Sequence, residues 1–151
     1  MGAFYRVPAK AVATVLFIGY IPFAPGTFGS LAGMAVIWFL KPGIALQAGI
    51  LAAGFAAGTA SAHFAEKAFG EKDSSRIVID EAVGYCVSVL ALPQNAMYLI
   101  AAFLLFRFFD IVKPPPIKDI ENRFGGGLGV MLDDVAAGIY TNVILQIAAR
   151  L

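Results

Sequence analysis

The sequence predicts an all-α, polytopic integral membrane protein, a helix bundle built from short helices. Three observations predict it. Of the 151 residues, 60% are hydrophobic and only 14% are charged, whereas soluble domains sit nearer half and a quarter. The apolar residues form runs broken by Pro, Gly and polar clusters, with no strand-like alternation. One of these runs, Ile44 to Phe69, is long enough to cross a hydrocarbon core of about 30 Å. The length suits a single domain over residues 1–151, without a separate soluble module.

Reading the runs against their punctuation gives six helices. The first covers about Pro8 to Tyr20 and ends at Pro22-Phe23-Ala24-Pro25-Gly26-Thr27. Arg6 and Lys10 ahead of an apolar stretch resemble a signal peptide, but Pro22, Pro25 and Gly26 follow without a clear small-residue cleavage site. A retained hydrophobic or interfacial helix is the expectation. The second runs from Gly29 or Ser30 to Leu40, where Lys41-Pro42-Gly43 forces a turn. The third, Ile44 to about Phe69, carries Gly54-x-x-x-Gly58 and many alanines, which suit close packing in lipid. The polar loop Gly70 to Arg76 leads to a fourth helix, about Asp80 to Leu92, and Pro93-Gln94-Asn95 turns into a fifth, Ala96 to Asp110. Lys113-Pro114-Pro115-Pro116 cannot continue a helix. The last helix, about Val130 to Ala149, follows the glycine run Gly125-Gly126-Gly127.

Counting crossings places every Asp and Glu on one side of the bilayer, together with Lys67, Lys72, Arg76, Arg107, Lys113, Lys118 and Arg123. The opposite turns have little beyond Lys41. The positive-inside rule makes the charged side cytoplasmic, so four polar segments converge on one membrane face. A net charge of +1 gives no case for nucleic acid as a partner. The single cysteine, Cys86, excludes an internal disulfide and a thiolate zinc cluster, and reads as a small packed residue.

On that face, Asp80, Glu81, Asp110, Asp133 and Asp134 each end an apolar run. Charge beside hydrocarbon is costly unless paired, hydrated or bound to metal, so the cluster is a candidate site that asks for a cation. Acid pairs at helix starts also suit the macrodipole, which is the purely structural reading of Asp80-Glu81 and Asp133-Asp134. Oxygen ligands without His or Cys favour magnesium or manganese over zinc. Arg107, Asp110 and Lys113 recur at a spacing of three. A phosphoryl group is the ligand that wants both a divalent cation and a guanidinium or ammonium; Lys113 is the better phosphate candidate, because Arg107 beside Asp110 also serves as simple neutralisation. Pro25-Gly26-Thr27-Phe28-Gly29-Ser30 opens a helix and offers N–H groups and two hydroxyls to an anion, or a helix cap by Thr27 or Ser30. Asp73 is a loop residue or a further ligand, and His63 reads as packing or interfacial. The motifs of cysteine phosphatases, histidine-nucleophile lipid phosphatases, haloacid-dehalogenase enzymes and P-loop nucleotide sites are all absent.

Four motifs in register resemble the phosphatidylglycerophosphatase A family: Pro25-Gly26-Thr27-Phe28-Gly29-Ser30; Ile77-Val78-Ile79-Asp80-Glu81-x-x-Gly84; Phe106-Arg107-Phe108-Phe109-Asp110-Ile111-x-Lys113-Pro114-x-Pro116-Ile117; and Gly127-x-Gly129-Val130-Met131-Leu132-Asp133-Asp134-x-x-Ala137-Gly138. Together they cover nearly the whole chain. Ile79, where the family often has a bulkier aromatic, and one extra glycine in the glycine run affect only packing and loop length. The resemblance implies a Mg²⁺-dependent, all-helical enzyme of the bacterial inner membrane that hydrolyses phosphatidylglycerophosphate to phosphatidylglycerol and phosphate.

The expected site therefore has Asp80, Glu81, Asp133 and Asp134 as metal ligands, with Asp110 as ligand or base and Glu81 and Asp134 sharing in catalysis. Lys113, Arg107, Thr27 and Ser30 are the expected phosphate contacts. Direct attack by water and a covalent aspartyl-phosphate both remain open. The rival readings are a Mg²⁺-dependent lipid phosphotransferase or kinase, and a divalent-cation carrier. Confinement of the acids to one face argues against the carrier.

Overall fold

A computed structural model describes residues 6–72 and 74–151. Among these residues the fold is entirely helical: α1 (Arg6–Ala13), a 3-10 turn (Ile18–Tyr20), α2 (Pro25–Leu40), α3 (Ile44–Phe69), α4 (Ile79–Ser88), α5 (Ala96–Val112), α6 (Ile117–Arg123) and α7 (Gly126–Ala148). Two of the helices, α3 and α7, are long and apolar enough to cross a membrane.

The organising element is the short helix α4, whose neighbours are α2, α3, α5 and α7. Its ten residues span about 15 Å, half of a bilayer's hydrocarbon core. Tyr85 and Val89 pack with Ile37 of α2, Leu99 and Phe106 of α5, and Ala137 and Leu145 of α7 in the main core. The Tyr85 hydroxyl donates to the Leu99 carbonyl at 2.9 Å, which satisfies the one polar atom of a fully buried ring. Outside this core, Phe39, Leu46, Leu104, Ile111, Val143 and Ile147 are all exposed, an apolar exterior that water would not favour.

Glycine sets the distance from α4 to α7. A Cβ on Gly84 would lie 2.7 Å from the Asp134 carbonyl oxygen and 2.8 Å from the Phe106 ring, and one on Gly138 would meet the Gly84 carbonyl oxygen. The two backbones touch where neither residue has a side chain, the close approach that small residues permit in helix pairs.

At the far end of α4, its last carbonyl and those of the turn after it find side-chain partners. Asn142 donates to Ser88 O (3.1 Å) and Leu90 O (2.9 Å), and Gln146 donates to Leu90 O (3.1 Å) and Ala91 O (3.3 Å). Gln47 accepts from the Ala91 amide at 3.0 Å and donates to Pro42 O at 3.2 Å, and Gln94 reaches the same Pro42 oxygen at 2.7 Å. The turns at Lys41 and Pro93 therefore meet at one end of the molecule, tied by amides to α7.

Several boundaries differ from the sequence reading. The first predicted helix ends early, at Ala13, because Thr14 turns the chain: its hydroxyl donates to Lys10 O (2.7 Å) and accepts the Phe17 amide (3.0 Å), a side chain competing with the helical ladder. The second begins earlier, at Pro25, whose fixed φ suits the first helical position. The fourth ends at Ser88 rather than Leu92, and Ala91 adopts a left-handed φ of 57°. The fifth runs on to Val112. Beyond the prolines a further helix, α6, forms, and the last helix takes in the glycine run from Gly126.

Replacing Asn142 with Leu removes the donor to the Ser88 carbonyl and one of two donors to the Leu90 carbonyl, both part-buried bonds. The variant should lose about 1–3 kcal/mol of stability, measured by thermal or SDS unfolding in detergent. Wild-type stability in Asn142→Leu would refute the capping role.

Candidate active site

The opposite end of α4 carries Asp80 and Glu81 in its first turn, and the Gly84–Gly138 contact brings Asp134 of α7 against them. One carboxylate oxygen from each of Asp80, Glu81 and Asp134 lies within 4.8 Å of the others. Asp80 and Asp134 are 8% and 3% exposed. Asp80 Oδ1, Glu81 Oε2 and Asp134 Oδ2 are buried without any hydrogen-bond partner. Three acids with orphaned oxygens in one buried space repel one another and have lost their water. The charge that suits them is a hard cation, for which carboxylate oxygens are the ordinary ligands.

Asp133 sits beside this triad rather than in it. Its Oδ2 accepts from Lys113 Nζ at 2.7 Å, and its Oδ1 accepts the Asp134 amide at 3.0 Å. Consecutive residues on a helix point about 100° apart, so the two acids of the pair divide: Asp134 faces Asp80 and Glu81, and Asp133 faces Lys113. Lys113 ends α5 with a left-handed φ of 46°. That conformation, with the prolines after it, turns the chain as its ammonium reaches α7.

Arg107 and Asp110, one turn apart on α5, form an ion pair through Nη1 and Oδ2. Asp110 also adjoins Asp134, and Arg107 adjoins Glu81, so this pair borders the triad. Arg107 Nε is buried and unpartnered, which leaves the guanidinium with donor capacity.

The start of α2 closes the site. A Cβ on Gly26 would collide with Glu81 Oε1 and lie 3.2 Å from Arg107 Nη1. Neither Thr27 nor Ser30 caps the helix, because the residue before it is Ala24, in a left-handed conformation and without a side-chain cap. Ser30 is fully buried and donates back to Gly26 O at 3.0 Å, while the Thr27 amide donates to Ala24 O at 3.0 Å. Ser30 therefore holds the Gly26 backbone in place, and Thr27 stays half-buried at the helix start.

The remaining candidates lie elsewhere. His63 is exposed on α3 beside Gly126 at the start of α7. Cys86 is buried, with its sulfur 3.9 Å from Gly33 O. Asp73 lies outside the described residues. Gly84 is the residue whose structural weight the acid pattern does not show; its i,i+4 spacing from Asp80 is the signal that it shares the acid's face of α4.

The assembly offers a carboxylate triad with the geometry to hold a metal ion, flanked by a guanidinium and an ammonium. That is a setting for a phosphoryl group. The family model described as phosphatidylglycerophosphatase A matches residues 11–149. The chain belongs to the phosphatidylglycerophosphatase A family. Within this family it is 37% identical to phosphatidylglycerophosphatase A of Haemophilus influenzae over 141 residues, covering 91% of this chain and 86% of that protein. Identity to phosphatidylglycerophosphatase A of Escherichia coli is 36% over 130 residues, covering 84% and 75%. A Bacteroides thetaiotaomicron protein with the provisional name phosphatidylinositol-3-phosphatase is 46% identical over 140 residues, covering 86% of each chain. No solved structure matches. As a phosphatidylglycerophosphatase A family member the chain is a phosphatase.

Gly26→Ala tests the wall of the site. Its methyl group pushes on the ends of the Glu81 and Arg107 side chains and not on backbone, so unfolding temperature should change little. Phosphatase turnover should fall by about tenfold or more. Unchanged turnover would show that Glu81 tolerates displacement.

Proposed function

We propose that this protein hydrolyses phosphatidylglycerophosphate to phosphatidylglycerol and inorganic phosphate, with Mg²⁺, at the cytoplasmic face of the bacterial inner membrane. The observation that carries the reading is the set of three buried, unpartnered carboxylate oxygens of Asp80, Glu81 and Asp134, next to Arg107 and Lys113. The family supplies the substrate, as its members from H. influenzae and E. coli are named for this activity.

The terminal phosphate enters at the junction of α2, α4, α5 and α7. Asp80, Glu81 and Asp134 would hold Mg²⁺, which when bound supplies charge neutralisation of the phosphoryl oxygens. Arg107 turns its free Nε capacity to the phosphate, and Gly26 leaves room for a phosphoryl oxygen where a side chain would stand. Lys113 holds Asp133 and adds positive potential. Asp110, restrained by Arg107 and adjoining Asp134, accepts a proton from water as its oxygen bonds to phosphorus. The bond from phosphorus to the glycerol oxygen breaks in line, and that oxygen takes a proton from solvent to leave as the headgroup hydroxyl, while Asp110 returns its proton to solvent.

The membrane setting is supported by α3 and α7, which are long and apolar enough to be spans, and by the exposed apolar exterior. The apolar chains of the substrate stay in the bilayer while its headgroup reaches the acids. The name of the B. thetaiotaomicron relative favours a second reading, hydrolysis of phosphatidylinositol 3-phosphate. Both substrates present a phosphomonoester on a glycerophospholipid headgroup, and competition between the two lipids in one assay ranks them.

The deciding experiment is phosphate release from phosphatidylglycerophosphate in detergent, with Mg²⁺ or EDTA, for wild type and Asp134→Asn. EDTA should abolish release, and Asp134→Asn should lower kcat/KM by about a hundredfold or more with helicity retained. Full activity in EDTA sinks the metal proposal, and absence of release from this lipid sinks the substrate. Transfer of label from ATP to lipid would point instead to a kinase.

A further inference from the structure

Beside the active site lies a polar cavity of about 410 Å³, lined by Tyr20, Pro25, Ser75 and Arg76 among others. Its cation, Arg76, is exposed and lies over two aromatic rings. The Arg76 guanidinium sits 5.2 Å from the Phe69 ring centroid and 5.9 Å from that of Tyr20. These two rings meet edge to face at 6.2 Å. Lys10 Nζ approaches the same Phe69 ring at 4.8 Å. Among the described residues neither cation has a carboxylate within ion-pair distance, and Glu71, close by in sequence, accepts from Ser74 instead. Two cations gathered on one aromatic ring, with no carboxylate at ion-pair distance among the described residues, make this a region of positive potential.

The segment carrying Arg76 is fixed by backbone contacts. Val78 donates to Ala13 O at 2.9 Å and Ile77 to Ser74 O at 2.8 Å, while Gly19 lies against the Arg76 carbonyl. The cavity also adjoins the triad. Pro25 forms part of its wall, and the next residue, Gly26, touches Glu81 and Arg107. Arg76 precedes Asp80 by four residues, so their Cα atoms are no more than about 14 Å apart.

A substrate of the proposed kind has two phosphates on one glycerol: the terminal monoester and the diester that joins the headgroup to the lipid. The triad with Arg107 serves the monoester. We propose that the cavity beneath Tyr20 is the subsite for the phosphodiester, with Arg76 as its hydrogen-bond donor and Lys10 adding charge. The proposal rests on the reading of the chain as a lipid phosphatase. A guanidinium suits a diester because its planar fork meets two phosphate oxygens at once.

Dihexanoylphosphatidylglycerol carries the diester, lacks the monoester and stays monomeric below its micelle concentration. Its binding to purified wild type, Arg76→Gln and Arg76→Lys is measured by calorimetry, with inorganic phosphate and Mg²⁺ as the comparison ligand. The Kd for the lipid should rise about tenfold in Arg76→Gln, with an intermediate value in Arg76→Lys, and phosphate binding should be unchanged. No lipid binding by wild type, or equal binding by all three proteins, overturns the subsite. An Arg76 effect confined to vesicles of phosphatidylcholine containing phosphatidylglycerol assigns the residue to the bulk membrane surface and also overturns it. Binding is read without turnover, so a wild type that binds the lipid through Arg76 but releases no phosphate refutes the reaction and not the subsite.

Discussion

Burial of α4 at both ends is the constraint on which the rest of the structure depends. A ten-residue helix leaves several amides and carbonyls unsatisfied at each terminus, and a buried terminus needs partners for them. At one end Asn142 of α7 donates to the Ser88 carbonyl, and Gln146 of α7 and Gln47 of α3 bind Leu90 and Ala91 just beyond it. At the other the helix opens with two acids whose charge its own dipole favours. Its backbone touches that of α7 at Gly84 and Gly138, and this contact fixes where Asp134 stands. The position of the acids is thus a by-product of how the helix is packed.

Charge arithmetic explains the division of roles among the acids. Five carboxylates, those of Asp80, Glu81, Asp110, Asp133 and Asp134, meet two cations, Arg107 and Lys113. Arg107 pairs with Asp110 and Lys113 with Asp133, and the other three acids are the ones with buried oxygens that lack hydrogen-bond partners. The pairs also serve as a frame: Lys113 ties α5 to α7, and Arg107 lies between α2 and α4. A divalent cation bound to the triad would offset most of its charge and join α4 to α7 by a further link.

The sequence made some of this plain and left other parts out of view. The acid clusters were legible because charge beside apolar runs has few explanations, and the long α3 was legible from its length and closing Gly70. The orientation of Asp133 and Asp134 was not, because adjacent helical residues diverge and only the partner helices decide which faces which. Ser30, read as a phosphate contact or a helix cap, is no cap and braces Gly26, since Pro25 starts the helix a turn sooner. Thr14 ended the first helix through its own hydroxyl, a choice that apolar periodicity does not register. Helix α6 was hidden behind prolines that stop one helix without forbidding the next.

The amide collar around the end of α4 also bears on how the chain assembles. Asn142 reaches Ser88 across 54 residues of sequence, and Gln146 reaches Leu90 across 56. Translation therefore delivers α4 well before the groups that quiet its exposed carbonyls. Until α7 arrives, the short helix has no stable resting place in hydrocarbon. In the membrane orientation proposed above, the order of insertion cannot follow the order of synthesis: α4 settles only as α7 does, and the catalytic acids at its other end come together in that same late step.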